Sequence, residues 1–171
     1  MLVIRPERKQ DYAAVHEAHR LAFGRENEAR LVETLRQSTN FIPELSLVAV
    51  KNGRVVGHVL FSPIIIETQI DTVPALALAP IAVLPEFQNQ GIGSELIRLG
   101  LKKCQRLGHK IVVVVGHSTY YSRFGFSSAR AKGLEVPFQV SDEPFMALEL
   151  TPKALDGIKG MIKYPLAFDE V

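Results

Sequence analysis

A mixed α/β (α+β) fold, with a central mixed β-sheet flanked by helices, is predicted by three observations. Residues 47–51 and 54–61 are apolar runs joined by Asn52-Gly53, the two-residue link that most favours a tight antiparallel hairpin. Residues 76–83 and 111–115 are further apolar runs, and residues 94–107 between them carry apolar positions at helical spacing, which implies a parallel strand, helix, strand core. Short runs at 134–136 and 145–150 read as late strands.

Residues 2–5 form a first short strand, stopped at Pro6. Residues 10–23 and 26–35 then read as two amphipathic helices, the first with Ala14, Val15, Ala18, Leu21 and Ala22 as its buried stripe. After the Asn-Gly hairpin, residues 64–70 and 76–83 predict a second hairpin through 71–74. Pro80 has no N–H to give a ladder, so it marks a bulge or an edge in that strand. Gly108 is the C-cap of the helix over 94–107, and the Ile-Val run at 111–115 should be buried on both faces. Residues 118–124 predict a short helix, and 161–164 a last strand in an otherwise weakly patterned tail.

A length of 171 residues suits one domain over 1–150, with 151–171 as a C-terminal extension packed on it. The chain is 47% apolar and 22% charged, which excludes a disordered polymer. Twenty basic and 18 acidic residues leave a charge of +2, without the strong positive excess of a nucleic-acid binder. The single Cys104 excludes an intrachain disulfide and a multi-cysteine zinc site, and no metal is expected. Cys104 itself fits the apolar face of a helix, as a small structural hydrophobe. No signal-type leader and no apolar run of the roughly 20 residues that span a bilayer is present, so no membrane association is expected and the cytoplasm is the expected compartment.

The chemistry concentrates where the strand over 76–83 hands over to the helix. Gln88, Asn89, Gln90, Gly91, Ile92, Gly93 and Ser94 form the loop and first turn. Amides at a helix start have no intrahelical partner and lie at the positive end of the macrodipole, and glycine lets an anion approach the backbone. This is a pyrophosphate cradle in prospect. The dinucleotide fingerprint would need a third glycine where Leu96 stands, and the Gly-Lys-Ser/Thr of a P-loop is missing.

Gln88-x-x-Gly91-x-Gly93 after one strand, and Tyr121-x-x-Phe124-Gly125-Phe126 after the next, resemble the GNAT superfamily of acyl-CoA-dependent N-acyltransferases. The stretch Ala79-Pro80-Ile81-Ala82-Val83 is similar to a bacterial subgroup of its predicted acetyltransferases, and the likeness runs from Ile4 to about Leu150. The resemblance implies acetyl-CoA as cosubstrate and a primary amine as acceptor, joined in a ternary complex by direct attack. It implies that Ile81, Ala82 and Val83 offer backbone hydrogen bonds to the pantetheine arm, and that residues 88–94 hold the pyrophosphate. Phe124 would line the cofactor groove and Tyr121 would be the general acid, with Tyr120 as its rival. Gln88 stands where the family often has arginine, which shifts anion binding toward backbone dipoles. No acid lies on Ile81 to Val83, so the base is left among Glu28, Glu67, His117 and water. His58 reads as a structural histidine. The competing function is a non-catalytic acyl-CoA-binding regulatory module. Homodimer formation, common in such folds, is left open by the sequence.

Overall fold

The computed structural model describes residues 1–171. The chain forms nine strands and four α-helices. The strands are β1 (Leu2–Pro6), β2 (Ser46–Lys51), β3 (Arg54–Glu67), β4 (Thr72–Val83), β5 (Ile111–Val115), β6 (Ser127–Ser128), β7 (Leu134–Glu135), β8 (Phe145–Glu149) and β9 (Gly160–Lys163). The helices are α1 (Tyr12–Phe23), α2 (Asn27–Arg36), α3 (Ile92–Arg106) and α4 (Ser118–Tyr121). The mixed sheet runs β1-β2-β3-β4-β5-β8-β6, with β9 paired to β3 and to β7. Two compact units are present: Met1–Ser62, Ala79–Lys103 and Leu166–Val171 make the first, Pro63–Leu78 and Cys104–Pro165 the second. No helix is long and apolar enough to cross a membrane.

In the first unit, the Asn-Gly link closes β2 against β3 as predicted, with Asn52 and Gly53 both at positive φ, the backbone such a two-residue turn needs. Helices α1 and α2 pack over this sheet through Val15, Leu31, Val32, Leu35, Val48 and Leu60. The stripe on α1 differs from the sequence expectation. Val15, Ala18 and His19 are buried, whereas Leu21 is 41% exposed and Ala14 and Ala22 are only half-buried. Burying His19 on that face is tolerable because its Nε2 meets His58 Nδ1 at 2.8 Å, and His58 Nε2 meets Ser46 Oγ at 2.8 Å. Beside this chain of polar groups, Arg36 donates two hydrogen bonds to buried Glu7, at 2.9 and 2.8 Å.

Helix α3 turns Ile92, Leu96, Ile97, Leu101 and Cys104 inward, a 3.6-residue pattern. Glycines set how closely it meets the sheet. A methyl group added at Gly57 of β3 would lie 3.2 Å from Leu96 Cδ1, and one added at Gly100 would overlap the ring of Phe61. The helix ends as predicted at Gly108, whose φ is 92°. Gly108 N donates to Gln105 O and His109 N to Cys104 O, both at 3.0 Å, the paired bonds of a Schellman cap.

In the second unit, β5 pairs parallel with β4 at Leu76 and Ala77 and antiparallel with β8 along its whole length. Ile111 to Val114 are buried and Val115 is exposed. The predicted second hairpin needs correction: residues 64–67 continue β3 without a break, so the turn falls at Thr68 to Asp71. Thr68 Oγ1 organises that turn, donating to the Asp71 carboxylate at 2.8 Å and accepting from Asp71 N at 3.0 Å. Pro63 is accommodated because pairing on that edge of β3 passes from β2, whose ladder reaches Leu60, to β9, whose ladder starts at Ile65. The Ala79-Pro80 peptide bond in β4 is cis.

Candidate functional site

The end of β4 and the start of α3 lie together in the first unit. Leu84 N donates to Val56 O at 2.9 Å, and a methyl group at Gly57 would meet Ala82 O at 3.1 Å, so β4 is held tightly on β3 up to its last residues. Ala82 is buried, while Ile81 and Val83 are half-buried. A 3-10 turn over Pro85–Phe87 follows, and Lys51 and Arg54 lie over the Phe87 ring, 5.7 and 5.5 Å from its centre. Gln88, Asn89, Gln90 and Gly91 are then exposed, with Asn89 at φ 62° and Gly91 at φ 84°.

Gly91 is the N-cap, since Glu95 N donates to Gly91 O at 3.1 Å as the first helical bond. The amides of Gly91, Ile92 and Gly93 precede that bond, and a methyl group at Gly91 would meet nothing within 4 Å. The two amide side chains of the loop are used within it. Gln88 Nε2 donates to Val83 O at 3.0 Å, tying loop to strand, and Gln90 Nε2 donates to Glu86 O at 3.4 Å. Left-handed residues at Asn89 and Gly91 beside the start of a helix form the kind of backbone concavity that holds anions.

Tyr121 and Phe124 lie in the second unit, after β5. Gly116 N donates to Pro144 O at 2.9 Å, which closes the β5 and β8 ladder, and Tyr121 N donates to His117 O at 3.0 Å to form the single turn of α4. A 3-10 turn over Ser122–Phe124 ends at Gly125, whose φ of 97° reverses the chain. That reversal brings Phe126 back edge-on to Tyr121, 5.8 Å between ring centres. The spacing of Tyr121, Gly125 and Phe126 is therefore a packing requirement as well as a sequence signature. Tyr120 stands edge-on to both Tyr121 and Phe124, at 5.1 and 5.3 Å, and Arg123 lies over its ring.

Tyr121 is 8% exposed, and burial, with Tyr120 adding to it, pushes its hydroxyl up to about 12. Its ring covers Gly116 so closely that a methyl group there would overlap it. The base candidates are dispersed. Glu28 is buried in the first unit and paired with Arg25. Glu67 sits at the end of β3, exposed, 4.0 Å from Lys163. His117 is exposed at the start of α4 and lines a small cavity with Gly116, Ser118 and Glu143. No group of His, Cys, Asp and Glu is arranged to hold a metal ion. Burial raises the Cys104 thiol to about 12, which makes it a poor nucleophile. Two features had no signal in the sequence: the pairing of His19 with His58, 39 residues apart, and Glu143, brought to the cavity by a 25-residue separation from Ser118.

Comparison with known proteins agrees with this arrangement. The acetyltransferase (GNAT) domain family matches residues 3–129. Escherichia coli YjhQ, described as an uncharacterized N-acetyltransferase, is 39% identical over 136 residues, spanning 79% of this chain and 75% of that protein. The GNAT family N-acetyltransferase YhbS of E. coli, solved in complex with CoA, superposes with a TM-score of 0.90 at 31% identity, over 98% of this chain and 92% of its own. A GNAT family acetyltransferase from Brucella melitensis, in complex with acetyl-CoA, gives a TM-score of 0.79 at 33% identity over 99% of both chains. With its sheet order, its loop at the head of α3 and these relatives, the chain belongs to the GNAT family of N-acetyltransferases.

Proposed function

We propose that the protein transfers the acetyl group of acetyl-CoA to a primary amine by direct attack within a ternary complex. The observation that carries this reading is the head of α3, where Gly91 is left-handed, a methyl group on it would meet nothing within 4 Å, and the first helical amides have no intrahelical partner. In this reading Gln88 to Ser94 cradle the pyrophosphate. The Gln88 side chain, bound to Val83 O, braces the cradle and leaves the phosphates to backbone dipoles. Ile81, Ala82 and Val83 supply backbone groups to the pantetheine arm, and Phe124 lines the groove. The CoA and acetyl-CoA complexes of two similar proteins support the choice of donor.

The amine nitrogen bonds to the thioester carbonyl carbon, the tetrahedral adduct collapses, and the carbon to sulfur bond breaks. An acceptor that starts as an ammonium ion gives up two protons, one taken by the departing sulfur and one released to solvent. Neutralising a lysine-like amine of pKa about 10.4 at pH 7 costs roughly 4.6 kcal/mol. His117 is the favoured base, because it lines a cavity whose wall, Gly116, also packs against Tyr121. Tyr121 is assigned to the sulfur as hydrogen-bond and proton donor.

The test is Gly91→Asp beside Gly91→Asn. Both place a side chain at a left-handed residue, where asparagine is tolerated, but only aspartate sets a negative charge in the cradle. CoA at about 100 times its dissociation constant should stabilise the parent and the asparagine variant by about 2.7 kcal/mol in thermal unfolding. The aspartate variant should show no stabilisation. Equal stabilisation of all three would sink the pyrophosphate assignment, and CoA binding without acetyl transfer to any of a broad panel of amines would leave a binding module.

A further inference from the structure

We propose that the cavity at the carboxyl end of β5 receives the acceptor, and that Glu143 selects amines carrying a second positive charge. This rests on the acetyl-transfer reading above and names the substrate class for it. The cavity measures about 230 Å3 and is lined by Gly116, His117, Ser118, Thr119, Ser141 and Glu143, with Pro144 closing one side. Its two walls are fixed to each other, because Gly116 N donates to Pro144 O at 2.9 Å where Val115 pairs with Phe145.

Tyr121 adjoins this cavity through a shared residue. Gly116 both lines the cavity and lies against the Tyr121 ring; a methyl group there would lie 3.4 Å from Cζ, the carbon that bears the hydroxyl. A ligand in the cavity is thus one residue's thickness from the phenol assigned to the departing sulfur.

The lining has one carboxylate and three hydroxyl side chains, and neither lysine nor arginine. The Glu143 carboxylate is oriented by Ser118, whose Oγ donates to Oε1 at 2.9 Å. At about 30 Å3 per water the space holds roughly eight water volumes, enough for an ammonium group on a short chain. The reacting amine must lose its proton before attack, and a neighbouring carboxylate would hold that proton on. Glu143 is therefore suited to a second, non-reacting ammonium group, with the reacting nitrogen lying toward His117 and Tyr121.

The experiment compares 1,4-diaminobutane with butylamine at saturating acetyl-CoA, in the parent and in Glu143→Gln, with calorimetric binding of each amine to the CoA-bound protein alongside. The parent should favour the diamine in kcat/KM. Glu143→Gln should lower kcat/KM for the diamine by about fivefold through KM, the size of an exposed ion pair, and leave butylamine within about twofold. Diamine binding that weakens in Glu143→Gln, with neither amine acetylated, supports the pocket and removes the transfer reading. Diamine and butylamine turned over equally by the parent, or diamine kinetics unchanged in Glu143→Gln, overturn the pocket and leave the transfer reading standing.

Discussion

Tyr121 meets any reaction as a neutral phenol, because burial and Tyr120 hold its hydroxyl at about 12. A thiol near 8.5 is more acidic by about 3.5 units, so full proton transfer from Tyr121 to a thiolate is uphill by roughly 5 kcal/mol. A hydrogen bond to developing negative charge on sulfur is the larger part of what this group can supply. Tyr121→Phe should then lower kcat by about ten- to a thousandfold, within and below the usual span of general acid catalysis. The pH dependence separates this role from a titrating acid. A hydroxyl at about 12 stays protonated throughout pH 6 to 10, so parent and variant should give kcat profiles of the same shape over that range, one displaced below the other. An alkaline limb present in the parent and lost in Tyr121→Phe would show that the phenol titrates there. Unchanged turnover would move the role to Tyr120 or to solvent.

The elements that place the proposed cradle depend on two close approaches, and glycine is required at both. Gly100 of α3 lies against the Phe61 ring of β3, and Gly57 of β3 lies beneath Leu96 and Ile92 of α3. Alanine is favoured over glycine within a helix by about 1 kcal/mol, yet a methyl group at position 100 overlaps a fully buried ring. Overpacking of this kind costs about 1–3 kcal/mol. Gly100→Ala should therefore destabilise the protein by up to about 2 kcal/mol in urea unfolding, and Phe61→Leu in the same chain should recover part of that loss. Additive effects of the two substitutions would show that they do not share this contact. The α3 unit was legible in sequence because its apolar spacing, its two loop glycines and its capping Gly108 agree with one another. The continuous β3 was not. Residues 54–61 and 64–70 read as separate runs, and Pro63 between them stays in one strand because pairing on that edge passes from β2 to β9.

At the scale of the whole molecule, the order of elements and the loop at the head of α3 were legible in the sequence, since both depend on residues close together in the chain. Contacts between distant segments left no local trace, and the buried histidine pair is the case with the largest consequence. Burial, with His58 beside it, lowers His19 to about 2, and burial with Arg36 nearby lowers His58 to about 3. Both imidazoles are therefore neutral in the folded protein, while in the unfolded chain they take up protons near pH 6.5. A folded value below the unfolded one means that the stability from these groups is complete above about pH 6.5 and is lost as the pH falls below it. Two protons bound only by the unfolded state give a limiting slope of about 2.7 kcal/mol per pH unit. Between pH 7.5 and 5.5 the loss should reach about 3 kcal/mol, a large part of the roughly 5–15 kcal/mol that holds a typical domain together. The carboxylates lowered by their partners, Asp11 beside Arg5 and Glu149 on Leu155 N, act in the same sense but below their ordinary range near pH 4. The loss above pH 5 thus belongs to the histidines, His109, which burial also lowers, adding to the pair in the same sense. Urea midpoints at the two pH values would measure it, and replacing His19 and His58 together by leucine should flatten the acid side of the profile even though it lowers stability at pH 7.5. Equal midpoints at pH 7.5 and 5.5 in the parent would show that the pair is charged, or hydrated, in the folded state.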